Sequence, residues 1–215
     1  MARQANAEKS SKGKSVRDAE ATQAIILAAA AEEFAQHGLT AARTEAIAAK
    51  TGVAKSMIYY YFKDKEGLYQ AVLERSHADL LQSVQQLGLE HLPPEAALEQ
   101  FLTALLNCVS RNPKLPMIMF HEAIQNRGKR YKRSSSLSID TMLINILERG
   151  TASGAFRPLD PFQSAINIMG TCLFYFIGSG NIQQHPQGKR LMSKAMLEQH
   201  TQEAIALILA GVRRC

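Results

Sequence analysis

Residues 55–61 of the 215-residue chain read Lys-Ser-Met-Ile-Tyr-Tyr-Tyr, placing an ammonium, a hydroxyl, a thioether and three phenols side by side. Ala54, Ile58 and Phe62 recur at four-residue intervals, which predicts a short helix with those three as its buried stripe. Lys55, Ser56, Met57, Tyr59, Tyr60 and, near the edge, Tyr61 then occupy the opposite face. Such a face suits a DNA major groove: Lys and Ser reach base edges, Met and Tyr meet a thymine methyl, and phenol hydroxyls reach phosphates. A lone tyrosine here would be read as covering a neighbouring helix, but three beside Lys55 and Ser56 cannot all be core.

A second short helix, Thr44–Thr51, must position this face; Ile47 is its buried residue, Thr44 is available as its N-cap and Gly52 ends it. The connection Thr51-Gly52-Val53-Ala54 has the length and the glycine of a helix-turn-helix, with Val53 packing inward between the helices. Upstream, Ile26, Ala30 and Phe34 mark a first helix over Glu20–His37, stopped at Gly38. Residues 1–18 carry Arg3, Lys9, Lys12, Lys14 and Arg17 among small polar residues and are expected to form a flexible basic arm, either solvated or following phosphates or entering a minor groove.

The stretch GVAKSMIYYYFKDKEGLYQAVL, with FAQHG and TEAIAAKTG before it, resembles the DNA-binding region of the TetR family of bacterial regulators over about residues 20–75. ERGTASGAFRPLDP resembles a stretch that commonly precedes the family's penultimate helix. The resemblance implies that Thr44 contacts a phosphate, that Lys55, Ser56 and Met57 face bases, and that Tyr59 and Tyr60 touch backbone or thymine. It also implies phosphate contacts for Tyr61 and for Lys65 at the start of a fourth helix, where a helix N-terminus already attracts anions. Arg43 departs from the small hydroxyl residue common before Thr44, leaving the cap of the second helix open and a phosphate contact by Arg43 conceivable.

Beyond Lys65, apolar positions predict one long helix to about Gly88 and further helices over 94–111, 114–126, 131–153, 160–178 and 191–213, broken by Pro and Gly. The expectation is an all-α fold of about nine helices. It comprises the arm (1–18), an N-terminal three-helix helix-turn-helix DNA-binding domain (19–65) and a C-terminal helical effector-binding and dimerisation domain (66–215). Met119, Phe120, His121, Met142, Phe174 and Tyr175 are the candidates for an adaptable effector pocket, against the alternative that they are ordinary core. His121 beside Glu122 is read as orienting a polar ligand or as a surface pair, and the basic cluster Arg127–Arg133 as a solvated surface. The apolar helices at about 160–178 and 191–213, with Ala165, Gly170, Gly178 and Gly180, are the expected homodimer surface.

Composition agrees with these expectations. Twenty-five Lys and Arg against nineteen Asp and Glu give a net charge of +6, which eases approach to a polyanion. Cys108, Cys172 and Cys215 lack metal-ligand spacing and read as reduced thiols acting as small hydrophobes. No apolar run reaches the length of a membrane span and no secretory start is evident, so a cytoplasmic protein without membrane contact is expected. Hydrolase, Walker A and zinc-protease motifs are lacking and the six histidines form no evident cluster, so neither catalysis nor a cofactor is expected. The sequence therefore points to a transcriptional regulator, a repressor that binds a pseudo-palindromic double-stranded operator as a homodimer and is released by a small-molecule effector. The alternative is an all-helical ligand carrier or enzyme without DNA binding.

Overall fold

The computed structural model describes residues 2–130, 133–185 and 190–214, with side chains described over 18–130, 139–185 and 190–214. The basic arm, apart from Asp18, lies outside the described side chains, as do Lys132, Arg133 and Cys215. Among the described residues there are ten α-helices and no strand: α1 (Ala2–Ala41), α2 (Thr44–Thr51), α3 (Lys55–Phe62), α4 (Lys65–Gln85), α5 (Pro94–Arg111), α6 (Leu115–Asn126), α7 (Arg133–Ala152), α8 (Pro161–Ile177), α9 (Ser179–Ile182) and α10 (Lys194–Val212). The tenth helix is the single turn α9, too short for periodicity to reveal. A 3-10 turn at Leu89–His91 leads toward α5.

The chain divides into two compact units between Leu73 and Glu74, within α4 rather than at its start. The first turns of α4 belong to the first unit because Leu68, Tyr69 and Val72 are buried there; Tyr69 meets Phe34 edge to face at 4.9 Å. Ile26, Ala30, Phe34, Leu39, Ile47 and Ile58 complete that unit's core. At Gly38 the helix breaks with φ 66° and ψ −179°, a conformation open to glycine, and then resumes as far as Ala41.

The second unit is built around α5, whose Ala97, Leu98, Phe101, Leu102, Leu105, Leu106 and Val109 are all buried. Pro94 starts this helix where its missing N–H is harmless. Leu143 and Leu147 from α7, Cys172 and Phe176 from α8 and Ile208 and Leu209 from α10 fill the rest of the core. Cys172 is buried and its thiol is pushed up to about 12 by desolvation; half-buried Cys108 is shifted the same way by burial, so both behave as small hydrophobes rather than thiolates.

Phe156 locks the turn after α7. Its N–H donates to Gly150 O (2.9 Å) and its ring fills the space beside Gly150, where a Cβ would stand 2.0 Å from Cδ2. Gly150→Ala should therefore expel a ring that is 1% exposed, lowering stability by about 3 kcal/mol and the melting temperature by roughly 10 °C. A thermal melt within a degree or two of the parent protein would contradict this packing.

Candidate nucleic-acid interface and ligand cavity

The α2–α3 connection is set by Gly52, which caps α2 in the left-handed conformation (φ 69°) while its N–H bonds Ala48 O at 2.9 Å. Thr44 is the first residue of α2 and not its cap, because the N-cap position falls at Arg43 and no side chain caps it. The Arg43 backbone N–H is instead held by Glu33 Oε1 (2.9 Å), while its side chain belongs to an exposed residue.

On α3, Ile58 is fully buried and Phe62 half-buried, but Ala54 is exposed. The expected three-residue stripe thus shrinks at its N-terminal end, because Ala54 caps α3 with φ −58° and ψ 139° and lies outside the helical register. Ser56, Met57, Tyr59 and Tyr60 are exposed, Tyr60 most of all at 77%. Tyr61 is half-buried, edge to face with both Tyr60 (5.3 Å) and Phe62 (6.3 Å).

Three of the expected DNA contacts, Thr44, Tyr59 and Lys65, are tied into the fold. Thr44, 5% exposed, shares a 3.0 Å hydrogen bond with the Tyr59 hydroxyl, which pins α3 against the start of α2. Lys65 Nζ donates to Thr40 O (3.1 Å) and Ala42 O (3.2 Å), satisfying carbonyls at the end of α1 and leaving one donor of its ammonium for other partners. Lys55 forms an ion pair with Glu45 and lies 5.4 Å from the Tyr59 ring centre. That pairing holds the Glu45 carboxyl below its usual range and raises Lys55. Glu45 was not among the expected site residues. Its one sequence signal is its place in the first turn of α2, where acidic residues are favoured simply by the helix dipole.

The second unit holds a half-open cavity of about 420 Å³ lined by Leu80, Leu105, Val109, Met119, Ile144, Met169 and other apolar side chains. Its polar groups come from Ser76, His77 and Asp140. Of the six expected pocket residues, Met119 lines this cavity and the others do not. Phe120 and Phe174 are 41% and 64% exposed, and Met142 borders a separate groove with Gln85 and Arg149. Tyr175 stacks on His200 (4.0 Å, 9°) and donates to Leu191 O at 2.9 Å, a tie between α8 and the segment leading to α10. His121 approaches Gln125 (3.4 Å). Glu122 is not a surface partner for it: it is 1% exposed and accepts from Asn126 Nδ2 and from Arg130 N, both at 2.7 Å, ordering the turn after α6. Ser76, His77 and Asp140 are not among the Met and aromatic residues expected to line a pocket; their sequence signal is that Ser76 and His77 interrupt the apolar face marked by Val72, Leu73 and Leu80.

A family profile described as bacterial regulatory proteins, tetR family, matches residues 26–72, and one described as tetracyclin repressor-like, C-terminal domain, matches residues 94–208. The chain belongs to the TetR family. It is a helix-turn-helix, DNA-binding regulator of transcription, and regulators of this family act as dimers that answer to small-molecule effectors. The HTH-type transcriptional repressor NicS of Pseudomonas putida is 31% identical over 168 residues, covering 76% of this chain and 79% of that protein. The HTH-type transcriptional regulator RutR of Escherichia coli is 26% identical over 94% of this chain and 95% of its own. Two solved structures share the fold. The ketosteroid transcriptional regulator KstR2 of Mycobacterium tuberculosis has a TM-score of 0.73 at 22% identity, covering 90% and 95% of the two chains. AibR in complex with isovaleryl coenzyme A and operator DNA has a TM-score of 0.70 at 18% identity, covering 86% and 97%. Among the described residues no helix is long and apolar enough to cross a membrane.

Proposed function

We propose that this TetR-family protein is a cytoplasmic repressor that reads a pseudo-palindromic operator with α3 of each subunit and is released when a small molecule enters the cavity of the second unit. The observation that carries the reading is the exposed face of Ser56, Met57, Tyr59 and Tyr60, with half-buried Lys55 at its start, on a two-turn helix seated by one fully buried residue, Ile58. Lys55, Ser56 and Met57 address base edges, Tyr60 reaches backbone or a thymine methyl, and Tyr61 and the remaining Lys65 donor lie toward phosphate. Thr44 and Tyr59 contribute chiefly by fixing the angle between α2 and α3.

Helix α4 supplies the coupling: it contributes Leu68 and Tyr69 to the first unit's core and His77 and Leu80 to the cavity lining. Two reading heads entering successive major grooves must stand roughly 34 to 36 Å apart, so a small tilt of α4 on ligand binding spoils the match. By linkage, operator DNA weakens ligand binding by the same factor. Selection of bound sequences from random DNA tests the reading; a palindrome with half-sites about one helical turn apart is expected, and enrichment of single half-sites would defeat it.

The second subunit docks on α8 and α10. Along α8, Phe162, Ile166, Gly170 and Phe174 follow one another at four-residue steps and are all exposed; Phe162 and Ile166 also line the cavity, which leaves Gly170 and Phe174 as the part of this stripe that belongs to the docking face alone. On α10, Leu207 is 66% exposed, flanked by exposed Ala206, Ala210 and Gly211, which permit close helix approach. Phe174→Glu combined with Leu207→Glu should weaken the dimer more than about a hundredfold, since four apolar side chains would be lost across a two-fold interface. Sedimentation at micromolar concentration should then report a monomer; an unchanged dimer would move the interface elsewhere.

A further inference from the structure

The composition of the cavity wall narrows the ligand beyond its size. At about 420 Å³ the cavity has the volume of roughly a dozen water molecules at about 30 Å³ each, which suits a molecule of similar non-hydrogen atom count. The wall is hydrocarbon and thioether except at Ser76 and His77, one turn of α4, and Asp140 on α7. Asp140 is the one carboxylate among the described lining residues, which include no Arg or Lys, so a carboxylate or phosphate set against it would meet like charge. An ammonium would be attracted by it.

Resting on the reading of this cavity as the effector site, we propose that its ligand is an apolar molecule carrying a single basic nitrogen, with the ammonium set against the Asp140 carboxylate and the hydrocarbon lying along Leu105, Met119, Ala165 and Met169. Ser76 and His77 are the other polar side chains of the described lining. The electrostatics of the cavity wall agree. Desolvation raises the Asp140 carboxyl above its usual range while His77 acts in the opposite sense, so that charge is only partly compensated and a ligand cation improves its environment. Asp140 remains exposed enough to attract a cation from solvent.

The test uses the full-length dimer and three probes on one skeleton: phenylbutylamine, phenylbutanol and phenylbutyrate, titrated calorimetrically. The amine should bind at least tenfold more tightly than the alcohol, and the butyrate most weakly. Asp140→Asn should remove the amine's advantage while leaving the alcohol's affinity within about twofold. Butyrate binding as tightly as the amine, or an amine advantage that survives Asp140→Asn, would overturn the ligand class alone. Ala165→Leu, which fills the cavity, should weaken all three probes tenfold or more; if a folded Ala165→Leu dimer binds them unchanged, or if none binds the parent protein, the reading of the cavity as effector site falls with the proposal.

Discussion

Replacing Lys55 and Tyr60 together by alanine is expected to weaken specific operator binding by roughly a hundredfold or more, leaving helical content, melting temperature and dimerisation unchanged. The fold has little stake in either side chain. Tyr60 is 77% exposed and meets the Tyr61 ring edge to face, and Lys55 pairs with Glu45 on the solvent side of α2. An exposed ion pair of this kind contributes little to stability and is readily exchanged for a base edge or a phosphate. The loss should be specific: Lys55→Ala alone should relax preference at one base position in each half-site. Fluorescence anisotropy at fixed salt with operator and scrambled duplexes measures both effects. Operator affinity within threefold of the parent protein would remove α3 from the role of reading helix.

A second large effect is expected at Gly67, which has no side chain to offer to DNA. Gly67→Ala should destabilise the first unit by about 3 kcal/mol and disable operator binding together with it. A Cβ at position 67 would stand 2.1 Å from Phe62 O and 3.3 Å from Asp64 Oδ1. Neither neighbour is free to retreat. The Asp64 carboxylate accepts from Gly67 N (2.6 Å), capping α4, and Phe62 O accepts from Asp64 N (2.9 Å) across Lys63. Lys63 has φ 68° and ψ −58°, the strained conformation of a γ-turn, so this connection between α3 and α4 stores strain before any substitution is made. Moving the Phe62 carbonyl would unwind the last turn of α3 and re-aim its exposed face. Thermal unfolding and operator anisotropy on the same sample should fall together; a variant that melts normally and binds normally would show the turn to be looser than these distances require.

The all-α class, the helix-turn-helix and its exposed face were legible in the residues themselves. Ile26, Ala30 and Phe34, and likewise Ile58 against Lys55–Tyr61, declare helix faces by spacing alone, and Gly52 declares the turn because few other residues adopt its conformation. Both are local properties, determined by a residue and its neighbours within a turn or two. What spacing could not supply was which polar groups are spoken for. Thr44 and Tyr59, Lys55 and Glu45, and Lys65 with the carbonyls of Thr40 and Ala42 are pairs brought together by the packing of separate helices. The same holds for the cavity. Phe174 and Tyr175 looked like pocket residues in a run of aromatics, yet adjacent positions on a helix point about 100° apart, and one faces outward while the other stacks on His200. Ser76, His77 and Asp140 come from helices more than sixty positions apart in part and share one cavity only because α4 and α7 both border it. Sequence alone determined that a helix-turn-helix exists and which residues of its second helix share a face. Only the tertiary structure decided which of that face's polar groups are paired within the protein and which side chains line the second unit's cavity, because those depend on contacts between residues that no local period relates.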